Sequence, residues 1–190
     1  MARGYHDWLV AETAGALKTC SANITSPVTL GLGVSPICSL ENLASAGVLL
    51  RIQRVLLFPT FVTTTFNALR TQVIVQRVTG PTGGTTPSII NHDTLDAASG
   101  AELRRSPTSI TSSLATMLSW FVWWFVQTTA AADVAAMLSP PLDLYTHFSD
   151  GRRQPWTLRP GEALHIQVLP SIVNVIGFGS TIEFTEEPLG

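Results

Sequence analysis

Charge is the scarcest feature of this sequence of 190 residues. Asp, Glu, Lys and Arg together make up 13%, which is about half the share typical of soluble domains. Lys18 is the one lysine, and no run of basic residues is present to neutralise a phosphate backbone. We therefore expect no direct contact with nucleic acid. The shortage of charge also indicates that a neighbouring chain covers part of the apolar surface.

Cysteine and long apolar runs are scarce as well. Cys20 and Cys38 are the two cysteines and form no CxxC pair, so we expect free, partly buried thiols in a reducing cytoplasm. The first eight residues lack the apolar segment of a signal peptide. The strongest apolar run, residues 117–126, is about half of the ~20 residues that a membrane helix needs. These absences predict no membrane association.

Motifs of catalysis and of metal binding are missing too. No Gly-x-Ser-x-Gly elbow occurs, and His165 lacks the second histidine and the glutamate of a cupin-type metal site. The segment from His92 to Asp96, joined by Glu102, could supply oxygen ligands for calcium, but it lacks the glycine and acid spacing of a calcium loop. Asx-turn chemistry explains these residues more simply. We expect no enzyme activity, no cofactor and no metal.

Alternation of apolar and polar residues is the main pattern that is present. It predicts strands over residues 69–78, 163–168 and 181–186. Residues 48–58 read as a longer, more apolar strand that Pro59 ends, and the aromatic residues and valines of 118–128 favour strand over helix. Residues 130–137 are the best candidate for a short helix. The pattern favours one all-β domain over 1–190, an antiparallel, jelly-roll-like β-sandwich with little helix. An immunoglobulin-like sandwich is the alternative.

Two segments are predicted to contact other chains. Residues 80–113 form a long polar loop that opens with a cluster of glycine and proline, and a loop of this length is functional or packed on a partner. Residues 1–25 are predicted to form an N-terminal arm that contacts neighbours.

Aromatic side chains concentrate between residues 118 and 128, where both strand faces are apolar. One face should meet the core, and the other needs a cover. Because Trp123 and Trp124 point oppositely in a strand, at least one should lie in the core. The candidate interface residues are Trp120, Trp123, Trp124, Arg104 and Arg105. Stacking of the tryptophans on a sugar is the alternative to packing.

The segment from Pro155 to Gln167, with its Leu-Arg-Pro-Gly-Glu turn before an alternating strand, resembles small structural proteins of tailed-phage virions, as does the stretch from Asn91 to Ala98. The resemblance covers roughly the second half of the chain. It implies a virion protein that assembles in the host cytoplasm and stabilises the capsid, as cement or decoration proteins do. The implied partners are other virion proteins, foremost a major capsid protein, and further copies of the chain. A receptor- or glycan-binding module of the tail or fibre is the alternative.

Overall fold

The computed structural model describes residues 17–29, 33–62, 68–128, 135–137, 141–144, 156–170 and 176–189. These residues form strands and turns, and no helix occurs among them. The twelve strands are β1 (Lys18–Thr29), β2 (Ser35–Asn42), β3 (Val48–Val62), β4 (Ala68–Thr79), β5 (Ile89–Asn91), β6 (Ala101–Arg105), β7 (Ser112–Thr128), β8 (Ala135–Met137), β9 (Leu142–Asp143), β10 (Thr157–Leu158), β11 (Glu162–Pro170) and β12 (Ile176–Pro188).

The strands form two antiparallel sheets that pack face to face. The first sheet has the order β10-β3-β12-β1-β5, with β9 also pairing with β3, and the second has the order β6-β2-β11-β4-β7-β8. Without β5, β6 and β8, one sheet reads β1-β12-β3 with β9 and β10 at its margin, and the other reads β2-β11-β4-β7. This is the arrangement of a jelly roll, two interlocked Greek keys. The predicted β-sandwich is confirmed, and the strand order favours the jelly roll over the immunoglobulin-like alternative.

Inward-facing side chains at every second position fill the space between the sheets. Ile52 and Ile182 come from the first sheet, and Leu164 and Ile166 from the second, and all four are buried. The two cysteines lie in the same core as free thiols. Burial of this apolar surface is the main term that stabilises the fold.

The predicted strands occur in β3, β4, β7, β11 and β12, with two differences of detail. β3 continues through Pro59, because the pairing with β12 skips Thr60 in a bulge and a bulge tolerates a residue that lacks an N–H. Ala135–Met137, from the predicted helix, forms β8, which pairs with the end of β7; residues 130–134 lie outside the described part. Cross-strand pairing outweighs the local helix preference of the alanines here.

Part of each of the two segments that are predicted to contact other chains belongs to the sandwich. Residues 80–113 are no plain loop, because they supply β5 to one sheet and β6 to the other. Residues 18–25 of the predicted arm belong to β1, which lies between β12 and β5 and sends Cys20, Ala22 and Ile24 into the core. Residues 1–16 lie outside the described residues.

Candidate functional site

The segment between β4 and β7, residues 80–111, is called the insertion below. Its two ends run side by side: Thr82 N–H donates to the Ser109 carbonyl over 2.9 Å, and Thr85 and Arg105 exchange backbone hydrogen bonds of 3.1 and 2.8 Å. Gly84, at φ +75°, lies against this second pair. A Cβ atom there would stand 2.1 Å from the Arg105 carbonyl oxygen, so only glycine fits the turn.

A compact turn at the tip of the insertion presents an apolar side chain to solvent. Asp93 Oδ1 accepts a hydrogen bond of 2.9 Å from the Leu95 N–H, and the Asp93 carbonyl accepts one of 3.2 Å from Asp96 N–H. The Asx turn expected from the sequence is thus confirmed. The Leu95 side chain is 92% exposed. Leucine is among the residues most often buried, so the exposure of Leu95 sets this turn apart from the buried leucines of the sandwich.

A buried carboxylate holds the tip of the insertion against the first sheet. Glu186 of β12 is 5% exposed. It accepts hydrogen bonds from the Ser99 hydroxyl and, over 2.9 Å, from Gly100 N–H. Lys18 Nζ lies 3.0 Å from the carboxylate and donates to the Ala98 carbonyl over 2.9 Å. These charge-assisted contacts order the segment next to Leu95.

A small cleft lies where β5 and β6 meet. Its volume is about 260 Å³, and Pro87, Ile89, Asn91, Ser99, Glu102 and Leu103 are among its lining residues. Small-molecule sites usually measure about 300–1,000 Å³. Glu102 pairs with Arg104 rather than with Asp93. The cleft is thus smaller than a usual ligand site, and the acids of the calcium hypothesis do not converge.

An aromatic surface lies on β7, near the margin of the second sheet that is opposite to β6. Phe121 and Trp123, on the outer face of β7, are 50% and 55% exposed. The Arg70 guanidinium lies 3.9 Å above the Phe121 ring, a cation–π contact. Beside the rings, Gln72 donates a hydrogen bond of 2.8 Å to the Ser119 hydroxyl. The outer face of β7 therefore combines apolar rings with polar groups.

The five candidate interface residues do not form one surface. Trp120 and Trp123 are exposed on opposite faces of β7, whereas Trp124 is 1% exposed and lies in the core. The tryptophan alternation is confirmed, but Trp124 is removed from the candidate interface because its ring packs on Phe178 of the other sheet. Arg104 and Arg105 lie on β6, four strand spacings from β7, or about 19 Å.

A buried polar row on the outer face of the second sheet was not anticipated from the sequence. His165 points away from the core, as expected, yet it is 3% exposed. Its Nδ1 lies 2.7 Å from the Ser39 hydroxyl on β2, and Gln167 donates to Gln76 over 3.2 Å. The alternation of β11 predicts the direction of His165. The burial of the His165 side chain depends on neighbouring strands, so no local pattern in the sequence predicts it.

Burial lowers the pKa of His165, and its hydrogen bond with Gln167 only partly opposes that effect. The unfolded chain then binds more protons than the folded one around the ordinary histidine pKa, so the free energy of unfolding should fall as the pH drops through that range. We expect the melting temperature to fall less between pH 7.5 and 5.5 in His165→Gln than in the parent. Equal falls in the two proteins would contradict this role of His165.

The described residues hold no group of three or more His, Cys, Asp or Glu side chains placed to share a metal ion. Burial raises the pKa of Cys20 to about 11 and that of Cys38 to about 12, so neither thiol is a ready nucleophile at neutral pH. Within the described ranges, no helix has the length and apolar character needed to cross a membrane.

Comparison with protein families, curated proteins and solved structures finds no match to this chain.

Proposed function

We propose that this protein is a structural component of a virion and binds the assembled capsid through the tip of its insertion. The observation that carries the proposal is Leu95, which is 92% exposed on a turn tied to the sandwich by Glu186. An apolar side chain held in place before binding gains contact area without a large loss of entropy. The mechanism is surface complementarity, in which added contacts stabilise the shell by mass action.

Two further properties support this role. The jelly roll recurs in viral capsid proteins, although it also occurs in lectins and cupins. Charged residues are depleted at the cores of protein interfaces. The low content of charge, 13% of residues, therefore suits a protein whose surface is partly covered by other subunits. Ile90, on the neighbouring strand β5, is a second exposed apolar residue of the insertion, at 57%. The partner implied by these features is a major capsid protein.

Replacing Leu95 by serine should weaken binding to native particles by about tenfold to a hundredfold. Full burial of a leucine contributes about 1.5–3 kcal/mol, and each 1.4 kcal/mol is a factor of ten. Binding can be measured by co-sedimentation with particles stripped of this protein. Thermal unfolding of the variant should match the parent, since the turn keeps its backbone contacts.

The matched control is Leu114→Ser, which removes a leucine that is 49% exposed on β7 of the second sheet, whereas Glu186 holds the tip of the insertion against the first sheet. It should leave particle binding unchanged. Equal binding by Leu95→Ser and the parent, or a parent that never sediments with particles, would show that the insertion has no such role.

A glycan- or receptor-binding role is the second candidate, and the aromatic surface of β7 favours it. Trp123 is exposed next to Phe121, Arg70 and Gln72, so a ring suited to stacking lies beside hydrogen-bonding groups. Binding on a glycan array that disappears in Trp123→Ala, with the fold intact, would establish this role. Trp124 is unsuitable for that test because it lies in the core.

A further inference from the structure

Arg70 is the one charged side chain on the outer face of β4 and β7. β4 contains no acidic residue, and β7 contains no charged residue. The other arginine of β4, Arg77, instead donates a hydrogen bond of 3.0 Å to the Thr157 carbonyl in the first sheet. Arg70 is exposed, and none of the ion pairs among the described residues includes it. This face therefore carries a positive charge without a counter-charge of its own.

The Arg70 guanidinium is held in place before any ligand binds. It lies 3.9 Å from the centre of the Phe121 ring. The two residues are diagonal neighbours, since the residue directly opposite Arg70 is Trp123. Stacking on the ring occupies one face of the planar guanidinium and leaves the N–H donors along its edge available. A guanidinium held in this way is suited to a carboxylate, which arginine binds through two parallel hydrogen bonds.

Trp123 provides a flat apolar surface beside that charge. Its side chain is 55% exposed. Directly opposite residues of antiparallel strands have Cβ atoms about 4.5–5.5 Å apart, so one ligand can contact both the indole of Trp123 and the guanidinium of Arg70. An indole ring offers a large, rigid area for contact, and a sugar ring presents C–H groups that stack on it.

Hydrogen-bonding side chains continue along the same face. Gln72 donates to the Ser119 hydroxyl over 2.8 Å, and Gln76 donates to the Thr116 hydroxyl over 3.4 Å. Each amide has two donor hydrogens and an acceptor oxygen, so groups remain for the hydroxyls of a ligand. Trp123 and Thr116 are seven residues apart, or roughly 20 Å along a strand. A row of this length suits several successive sugar units.

We propose that this surface binds an acidic oligosaccharide, with a sugar ring on Trp123 and the carboxylate of a uronic or sialic acid on Arg70. The inference rests on the glycan-binding role, the second candidate above, and names the ligand class for that surface. Charge selects the ligand, because a carboxylate supplies the counter-charge that the described residues do not provide to Arg70. Phe121 acts as a positioning residue for the guanidinium.

The ligand is tested on an array that carries neutral, uronate-containing and sialylated glycans. Acidic glycans should bind about tenfold more tightly than neutral glycans of the same length. The arm of the array that binds distinguishes uronic from sialic acid. The methyl ester of the best acidic glycan is the matched control ligand, since it keeps the rings and hydroxyls but loses the charge, and it should bind like a neutral glycan. Affinity for the acid should also fall between ~50 and ~500 mM salt.

Arg70→Gln tests the protein side of the contact, and Arg54→Gln is its matched control. The Arg54 side chain is 48% exposed on β3 of the first sheet, so each variant removes one positive charge but on a different sheet. Arg70→Gln should lose about tenfold in affinity for the acidic glycan and keep its affinity for neutral ones, whereas Arg54→Gln should bind like the parent. Arg70→Lys should fall between, because it keeps the charge but loses the planar fork. Circular dichroism checks that each variant is folded.

The outcomes separate the ligand class from the glycan role. Binding of acidic glycans that is weakened in Arg70→Gln and lost in Trp123→Ala supports both. Equal affinity for neutral and acidic glycans overturns the ligand class and leaves the glycan role, whereas a parent that binds no glycan overturns both. Equal losses in Arg70→Gln and Arg54→Gln mean that net charge alone acts, which overturns the contact with Arg70. A parent dimer in sedimentation velocity that Trp123→Ala abolishes places a second copy on this surface and also overturns the proposal.

Discussion

Replacing Trp124 by alanine should lower the free energy of unfolding by about 3–5 kcal/mol. The side chain is 1% exposed and its ring lies 5.0 Å from the ring of Phe178, edge to face, across the two sheets. Its Nε1 donates a hydrogen bond of 2.6 Å to Thr71 Oγ1. Alanine leaves a cavity and an unpaired buried hydroxyl, and both are costly. Urea denaturation followed by circular dichroism measures the change.

The neighbouring tryptophan provides the control for that experiment. Trp123 is 55% exposed on the opposite face, so Trp123→Ala should change the free energy of unfolding by less than about 1 kcal/mol. Trp124→Phe should fall between the two variants, because it keeps a ring against Phe178 but loses the hydrogen bond. Equal losses in Trp123→Ala and Trp124→Ala would mean that Trp124 does not join the sheets as described.

Neutralising Glu186 should have the second largest effect, about 3 kcal/mol in Glu186→Gln. Breaking a buried ion pair typically costs 3–5 kcal/mol, and the low end applies because the Lys18 side chain keeps 15% exposure. The loss should also free the tip of the insertion, which Glu186 holds at Ser99 and Gly100. Hydrogen exchange at the Gly100 amide should become faster than in the parent, while exchange in β11 stays slow.

Glu187→Gln is the matched control, one residue along the same strand. Its side chain is 31% exposed and pairs with Arg51, so the ion pair should contribute less than about 1 kcal/mol. Glu186→Gln that unfolds like Glu187→Gln, with unchanged exchange at Gly100, would contradict an anchoring role for Glu186.

The long strands could be predicted because alternation is a local property of the sequence. Leu164, Ile166 and Val168 show the inward face of β11 before any partner strand is known. The two short strands of the insertion could not be predicted in this way. β5 has three residues and β6 has five, and their pairing with β1 and β2 depends on contacts far along the chain.

In the candidate site too, local patterns could be predicted from the sequence, whereas contacts between distant residues could not. The sequence indicates that Trp123 and Trp124 point in opposite directions, but both faces of the strand are apolar, so register with β4 and contact with Phe178 decide which ring is buried. The length of residues 80–113 predicts a segment that is functional or packed on a partner, and this stays a prediction. The exposure of Leu95 could not be predicted, because it depends on Asp93 and on Glu186, which lies 91 residues further along the chain.

The position of β12 affects how the protein folds while it is being synthesised. β12 lies between β3 and β1 at the centre of the first sheet, although it is the last of the described strands in sequence order. About 150 residues separate the end of β1 from the start of β12, and a ribosome adds about 5–20 residues per second. The apolar faces of β1 and β3 therefore wait roughly 10–30 s for the strand that joins them. The first sheet therefore cannot close until β12 has been synthesised, and exposed apolar faces of this kind favour aggregation during such an interval.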